Sequence, residues 1–139
     1  MQVALISCVG EKHTGTHKAK ELYKSSWFIK ARRYAESQYY RWHILSAKHF
    51  LVDPETEIEY YELYLPKTPL DYRKNWAEKV FGQIKELYLV ETELHIFAGE
   101  AYRKYLVPLL EEYGYRTNVP LKGLGIGQQL KWFKDKESS

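Results

Sequence analysis

Apolar and polar positions along the chain follow two periods, and the switches between them lay out the elements. Residues 3–8, "VALISC", form a largely apolar run with β-branched members, the pattern of a strand buried on both faces. After a polar loop, Leu22, Trp27, Phe28, Ala31, Tyr34 and Ala35 recur at helical spacing. Residues 41–49, "RWHILSAKH", predict a second strand that runs into a polar cluster. The stretch 51–69 carries five acids between Asp53 and Glu62 with no base among them, and prolines at 54, 66 and 69, so it predicts a long loop. Loops of that length are uncommon in compact domains and often functional.

The second half repeats the alternation. Ala77, Val80, Phe81, Ile84 and Leu87 mark a long helix, and residues 93–100, "ELHIFAGE", a third buried strand. Ala101, Tyr105, Leu106, Leu109, Leu110 and Tyr113 mark the next helix, which Gly114 stops. Residues 115–121 are a weaker fourth strand, and a Gly-rich turn leads into a last amphipathic helix through Ile126, Leu130 and Phe133. No internal repeat or linker interrupts the pattern. It predicts an α/β three-layer sandwich, a roughly four-stranded parallel sheet with helices on both faces and right-handed crossovers.

Composition bounds this picture. A chain of 139 residues, 45% hydrophobic, is long enough for one core and too short for two, so residues 1–139 read as a single domain. No apolar run approaches the roughly 20 residues of a membrane span, and "MQVALISC" lacks the basic start and cleavage site of a signal peptide. A cytoplasmic protein with no membrane partner is expected. One cysteine excludes an internal disulfide, and no Cys and His pairs have zinc spacing, so neither a metal nor a cofactor is predicted.

Charge changes the picture more than the net +3 suggests. Residues 1–50 hold nine Lys or Arg against three Glu, so the basic excess lies in the first third. Such a patch suits phosphates, and a nucleic acid or nucleotide is the expected partner. A solvated helix face accounts for it equally well. The oligomeric state is left open.

Ligands of open α/β sheets bind beyond the carboxyl ends of the strands. Four polar clusters fall at such positions: 8–17, 46–54, 98–102 and 122–127. In the first, Ser7, Cys8 and His13 are candidate binding residues, and Lys12 is an amine able to attack a sugar C1 or hold an anion. A nearby helix start and basic neighbours can also activate a thiol such as Cys8. In the second, Ser46 and Lys48 are binding candidates, while Asp53 and His49 are a carboxylate to activate water and a group to assist departure. Glu100 is a second catalytic carboxylate, or an acid answering a helix dipole, and Tyr102 offers stacking or a donor. Lys122 with Gly123, Gly125 and Gly127 has neither dinucleotide-fingerprint nor P-loop spacing, and is read as a helix start able to approach an anion or a base edge.

The set "SCVGEK", "WFIKARRYAE", "WHILSAKHFLVDP", "FAGEAYRKYLVPLL" and "VPLKGLGIGQQLKWF" resembles a family of short bacterial, archaeal and phage proteins classed as a domain of unknown function. That family is in turn similar to the archaeosine synthase domain, whose Cys-to-Lys spacing Cys8 and Lys12 keep, and more distantly to the uracil-DNA glycosylase fold. The resemblance implies a four-stranded parallel sheet that takes an extruded base at its strand ends. It implies a nucleobase-processing enzyme acting on an N-glycosidic bond or a modified base. A noncatalytic nucleotide or nucleic-acid binding module and a Cys-dependent hydrolase or transferase are the other readings.

Overall fold

The structure is a computed structural model and describes residues 1–8 and 10–137. In chain order it runs β1 (Gln2–Ser7), β2 (Thr16–Lys18), α1 (Ala19–Leu22), α2 (Ser26–Gln38), β3 (Arg41–Ser46), β4 (Phe50–Val52), β5 (Glu57–Glu59), a 3-10 turn (Leu65–Lys67), α3 (Leu70–Leu87), β6 (Glu93–Phe97), α4 (Glu100–Tyr113), β7 (Arg116–Asn118) and α5 (Ile126–Glu137). The main sheet has the order β4-β3-β1-β6-β7. Its four strands β3, β1, β6 and β7 are parallel, and only β4 runs antiparallel, at the edge. The fold is therefore α/β, around a five-stranded, mostly parallel sheet.

β1 is central, and Val3, Ala4, Leu5 and Ile6 are all fully buried, as a strand covered on both faces must be. α2 packs against β1 and β3, and α3 packs against α4. α5 packs on α2, where Trp27, Tyr34, Phe97, Trp132 and Phe133 form one aromatic cluster.

Three sequence expectations change. The second strand ends at Ser46, not at residue 49, because residues 47–49 turn back into β4. Phe50 closes that turn at φ 66, a left-handed conformation that costs a non-glycine residue about 1–2 kcal/mol. The expected loop over 51–69 contains β5, which pairs antiparallel with β2 in a separate two-stranded sheet. The helical stripe from Leu22 to Ala35 spans two helices, not one, since Tyr23 to Ser25 leave the helical path and Ser25 caps α2 through the Phe28 N–H.

The β2-β5 pairing explains where the segregated charges go. It sets the acidic stretch against the basic one, so Glu55 bonds Lys20 at 2.5 Å and Lys18 at 3.3 Å. Lys24 lies 3.8 Å from Glu11, and Arg32 3.3 Å from Glu36. Much of the basic excess is paired within the chain.

A buried histidine gives the fold a pH dependence. His43 is 2% exposed on β3, its Nε2 2.5 Å from the Tyr88 hydroxyl. Burial, reinforced by the Arg41 charge, lowers its pKa to about 4. The unfolded chain protonates this ring near pH 6.5 while the folded chain refuses the proton. Stability is therefore complete above pH 6.5 and falls toward pH 4, by roughly 3 kcal/mol. Urea unfolding across that range should show this loss, and His43→Gln should remove most of the pH-dependent part.

Candidate functional site

From β1 the chain crosses to β3 on one side, and from β3 it crosses back to β6 on the other. The border between β1 and β6 is thus the point where the connections diverge, and α/β sheets bind ligands there. A cavity of about 730 Å³ opens at this place. The strand ends contribute Ser7 and Cys8 at the end of β1, then Gly99, Glu100, Ala101 and Tyr102 after β6, and the buried Ser7, Cys8 and Tyr102 form the floor. Gly10, Glu11 and Lys12 form one side, and Trp27 with Gln129 and Ile126 another. Tyr60, Glu62, Leu63, Tyr64 and Pro66 close it. The volume lies in the range of small-molecule sites.

Local pairing fixes these walls. The Lys12 loop is tied to the chain before α2, as the His13 N–H bonds the Leu22 carbonyl at 2.8 Å and the Lys24 N–H bonds the Glu11 carbonyl at 2.9 Å. Gly10 adopts φ +80, and a Cβ there would meet the Ser25 Cβ at 2.9 Å, so only glycine lets the loop pass the start of α2. Trp27 Nε1 donates to Gln129 Oε1 at 2.8 Å, and Gln129 Nε2 donates to the Leu124 carbonyl at 2.9 Å, which fixes the wall between α2 and α5.

Beneath the cavity lies a buried hydroxyl network centred on Tyr61. Its hydroxyl is 2.8 Å from Tyr23 Oη, 2.8 Å from Ser46 Oγ and 3.4 Å from Cys8 Sγ, to which it donates. Tyr61 has one proton to give, so Ser46 and Tyr23 must donate to it. Ser46 Oγ in turn accepts the His49 N–H at 3.0 Å. Tyr102 Oη lies 3.5 Å from the same sulfur and 3.3 Å from the Cys8 carbonyl. Burial raises the pKa of Tyr23, Tyr61 and Tyr102, and the nearby Cys8 adds to it, so all three hydroxyls keep their protons. Cys8, 8% exposed, is an oriented sulfur that accepts hydrogen bonds.

Ser7 behaves differently. It is fully buried, it lines the cavity, and its Oγ has no partner among the described residues. A buried hydroxyl left unpaired costs about 1–3 kcal/mol. A ligand atom in the cavity is the natural partner.

The structure gathers some of the expected residues and separates others. Ser7, Cys8, Lys12, Glu100 and Tyr102 line the cavity together. Lys12 Nζ rests 4.7 Å from the centre of the Tyr61 ring and 5.8 Å from that of Tyr23, and Lys48 Nζ is 6.0 Å from Tyr61. Ser46 sits below, and the His49 ring packs edge-on to Tyr61 at 5.3 Å without lining the cavity. Burial, with the Lys48 charge, lowers the His49 pKa. Asp53 lies elsewhere: it lines a separate cavity of about 270 Å³ with Arg41 and His43, 3.7 Å from the Arg41 guanidinium. Asp53 Oδ1 accepts the Glu55 N–H at 2.9 Å, the role of a turn-forming acid.

His13 is exposed, its ring 5.8 Å from His17. Lys122, Gly123, Gly125 and Gly127 are exposed and outside the cavity, which takes Ile126 and Gln129 from that segment instead. The Gly125 N–H, expected to be free for a ligand, bonds Gln128 Oε1 at 2.9 Å.

Sequence reasoning missed Trp27, Tyr60, Glu62, Tyr64 and Gln129 as wall residues. The density of aromatic residues in "EYYELYLP" was the available signal, since a solvated loop has no need of three tyrosines within five positions. Among the described residues, no group of three or more His, Cys, Asp or Glu could hold a metal ion. No helix among them is long and apolar enough to cross a membrane.

Comparison with known proteins adds one relation. No curated protein and no solved structure matches the chain. The family of unknown function DUF6884 matches it over residues 3–135, and the chain belongs to that family.

Proposed function

We propose that the chain is a nucleobase-processing enzyme of uracil-DNA glycosylase-like fold, acting on an N-glycosidic bond or a modified base in DNA, RNA or a nucleotide. The observation that carries this reading is the unpartnered Ser7 hydroxyl in an aromatic-walled cavity at the divergence of β1 and β6. The order β3-β1-β6-β7 of four parallel strands agrees with the fold. Trp27, Tyr60, Tyr64 and Tyr102 supply faces and edges for a planar heterocycle.

In this reading Lys12 acts at the reacting centre. Its ammonium first passes a proton to Glu100, and the amine then attacks the sugar C1; the C1–Nζ bond forms as the C1–base bond breaks. The electron pair leaves on the base, which takes up a proton, and the new ammonium loses one. Opening of the sugar ring then gives a Schiff base, which water hydrolyses to restore the amine. Glu100, which also lines the cavity, serves as the proton carrier.

Incubation with oligonucleotides, nucleotides and nucleosides bearing normal and modified bases tests the reading. Base release, read by mass spectrometry, is expected, and borohydride should trap a covalent adduct at Lys12. Release without an adduct assigns the attack to water and leaves Lys12 as a cationic stabiliser.

One observation favours a second reading, a noncatalytic nucleobase-binding module. Neither Asp53 nor His49, the acid/base pair expected from sequence, lines the cavity. Saturable binding that survives Lys12→Ala with no product formed would establish it.

A further inference from the structure

We infer, on the nucleobase reading above, that the cavity takes its heterocycle as a free base or nucleoside, with a carbonyl edge turned to the floor and an amine edge to the rim, and that it turns phosphates away. Donors and acceptors are segregated by depth. At the floor, Ser7 Oγ is fully buried with no partner among the described residues, and on the adjoining side Lys12 Nζ rests against the buried rings of Tyr61 and Tyr23. A hydroxyl donor and an ammonium favour an acceptor atom such as a carbonyl oxygen.

The rim has the opposite character. Glu11, Glu62 and Glu100 line the cavity and are all exposed, so they stand at its mouth. Carboxylates accept hydrogen bonds only, which suits the exocyclic amine and ring N–H of a heterocycle. They also repel a phosphate. Lys12 is the one Lys or Arg among the described lining residues. Of the lysines that follow the Lys12 loop, Lys18 and Lys20 pair with Glu55, and Lys24 pairs with Glu11 and offsets part of its charge. A phosphodiester backbone needs cations free to neutralise it, and this rim offers acids instead.

Calorimetry on the full chain tests this with guanosine, cytidine, uridine, the corresponding 5′-monophosphates and a short single-stranded oligonucleotide, at low and high salt. Guanosine or cytidine should bind, uridine, which lacks the amine, more weakly, and each monophosphate at least about tenfold more weakly than its nucleoside at low salt. High salt should narrow that gap, as should Glu62→Gln. Monophosphates or the oligonucleotide binding more tightly than nucleosides would overturn the inference. Base release from an oligonucleotide with nucleosides unbound would also overturn it while leaving the enzyme reading standing. No binding and no release from any of them would remove both.

Discussion

Replacing Trp76 by alanine should lower the free energy of unfolding by about 3–5 kcal/mol, the largest single effect expected on stability. Trp76 is 1% exposed on α3, and its ring stands edge-on to Tyr102 at 5.4 Å. Its Nε1 donates to the Ser46 carbonyl at 2.8 Å, at the point where β3 ends and the chain turns back. Removal leaves a cavity and an unpaired carbonyl, two costs that add. It also loosens Ser46 and Tyr102, which hold Tyr61 and Cys8 in place. Trp76→Phe keeps most of the volume and loses the hydrogen bond, so a cost of about 1–2 kcal/mol is expected. Denaturant unfolding of both variants measures this, and a loss under about 1 kcal/mol for Trp76→Ala would contradict the packing described.

The largest expected effect on activity is that of Lys12→Ala, a fall in base release of about 10³-fold. The side chain is half-buried against Tyr61 and Tyr23, and no other cation lines the cavity among the described residues. The fold should survive, because the loop is held by its backbone bonds at His13 and Lys24 and not by the ammonium. Loss of the ring contacts costs only about 0.5–1 kcal/mol. A variant that melts close to the parent yet releases no base places Lys12 in the chemistry. Equal release by both would remove it from the reacting centre.

The layered α/β plan was legible because long segments carry one period at a time. Val3 to Ile6 read as a buried strand, and Ala77, Val80 and Ile84 as a buried stripe, and they are buried. Departures fall where tertiary pairing overrides local pattern. "EIE" at 57–59 has too many acids to read as a strand, and it forms one because the basic "THK" at 16–18 faces it. Lys48 and His49 extend the apolar run of β3 in sequence, while the β4 hairpin takes them off the sheet.

The candidate site was legible where it follows the strands and hidden elsewhere in its walls. Ser7, Cys8, Lys12 and Glu100 follow strands, and the topology brings strand ends together. Trp27, Tyr60, Tyr64 and Gln129 come from segments whose return over those ends depends on pairings distant in sequence, such as the Tyr60 N–H to the Gly15 carbonyl at 2.9 Å. Asp53 lies away from this cavity for the same reason: it follows β4, at the far edge of the sheet.

Ser7→Ala, followed by thermal melting and by calorimetry with guanosine and cytidine in parallel with the parent, tests the central claim most directly. An unpartnered buried hydroxyl costs stability and is kept for a ligand, so the variant should melt at the same or a higher temperature while binding is weakened about tenfold. A variant that melts lower and binds as well as the parent would mean that the hydroxyl serves the fold, and that the cavity at the ends of β1 and β6 is not the site.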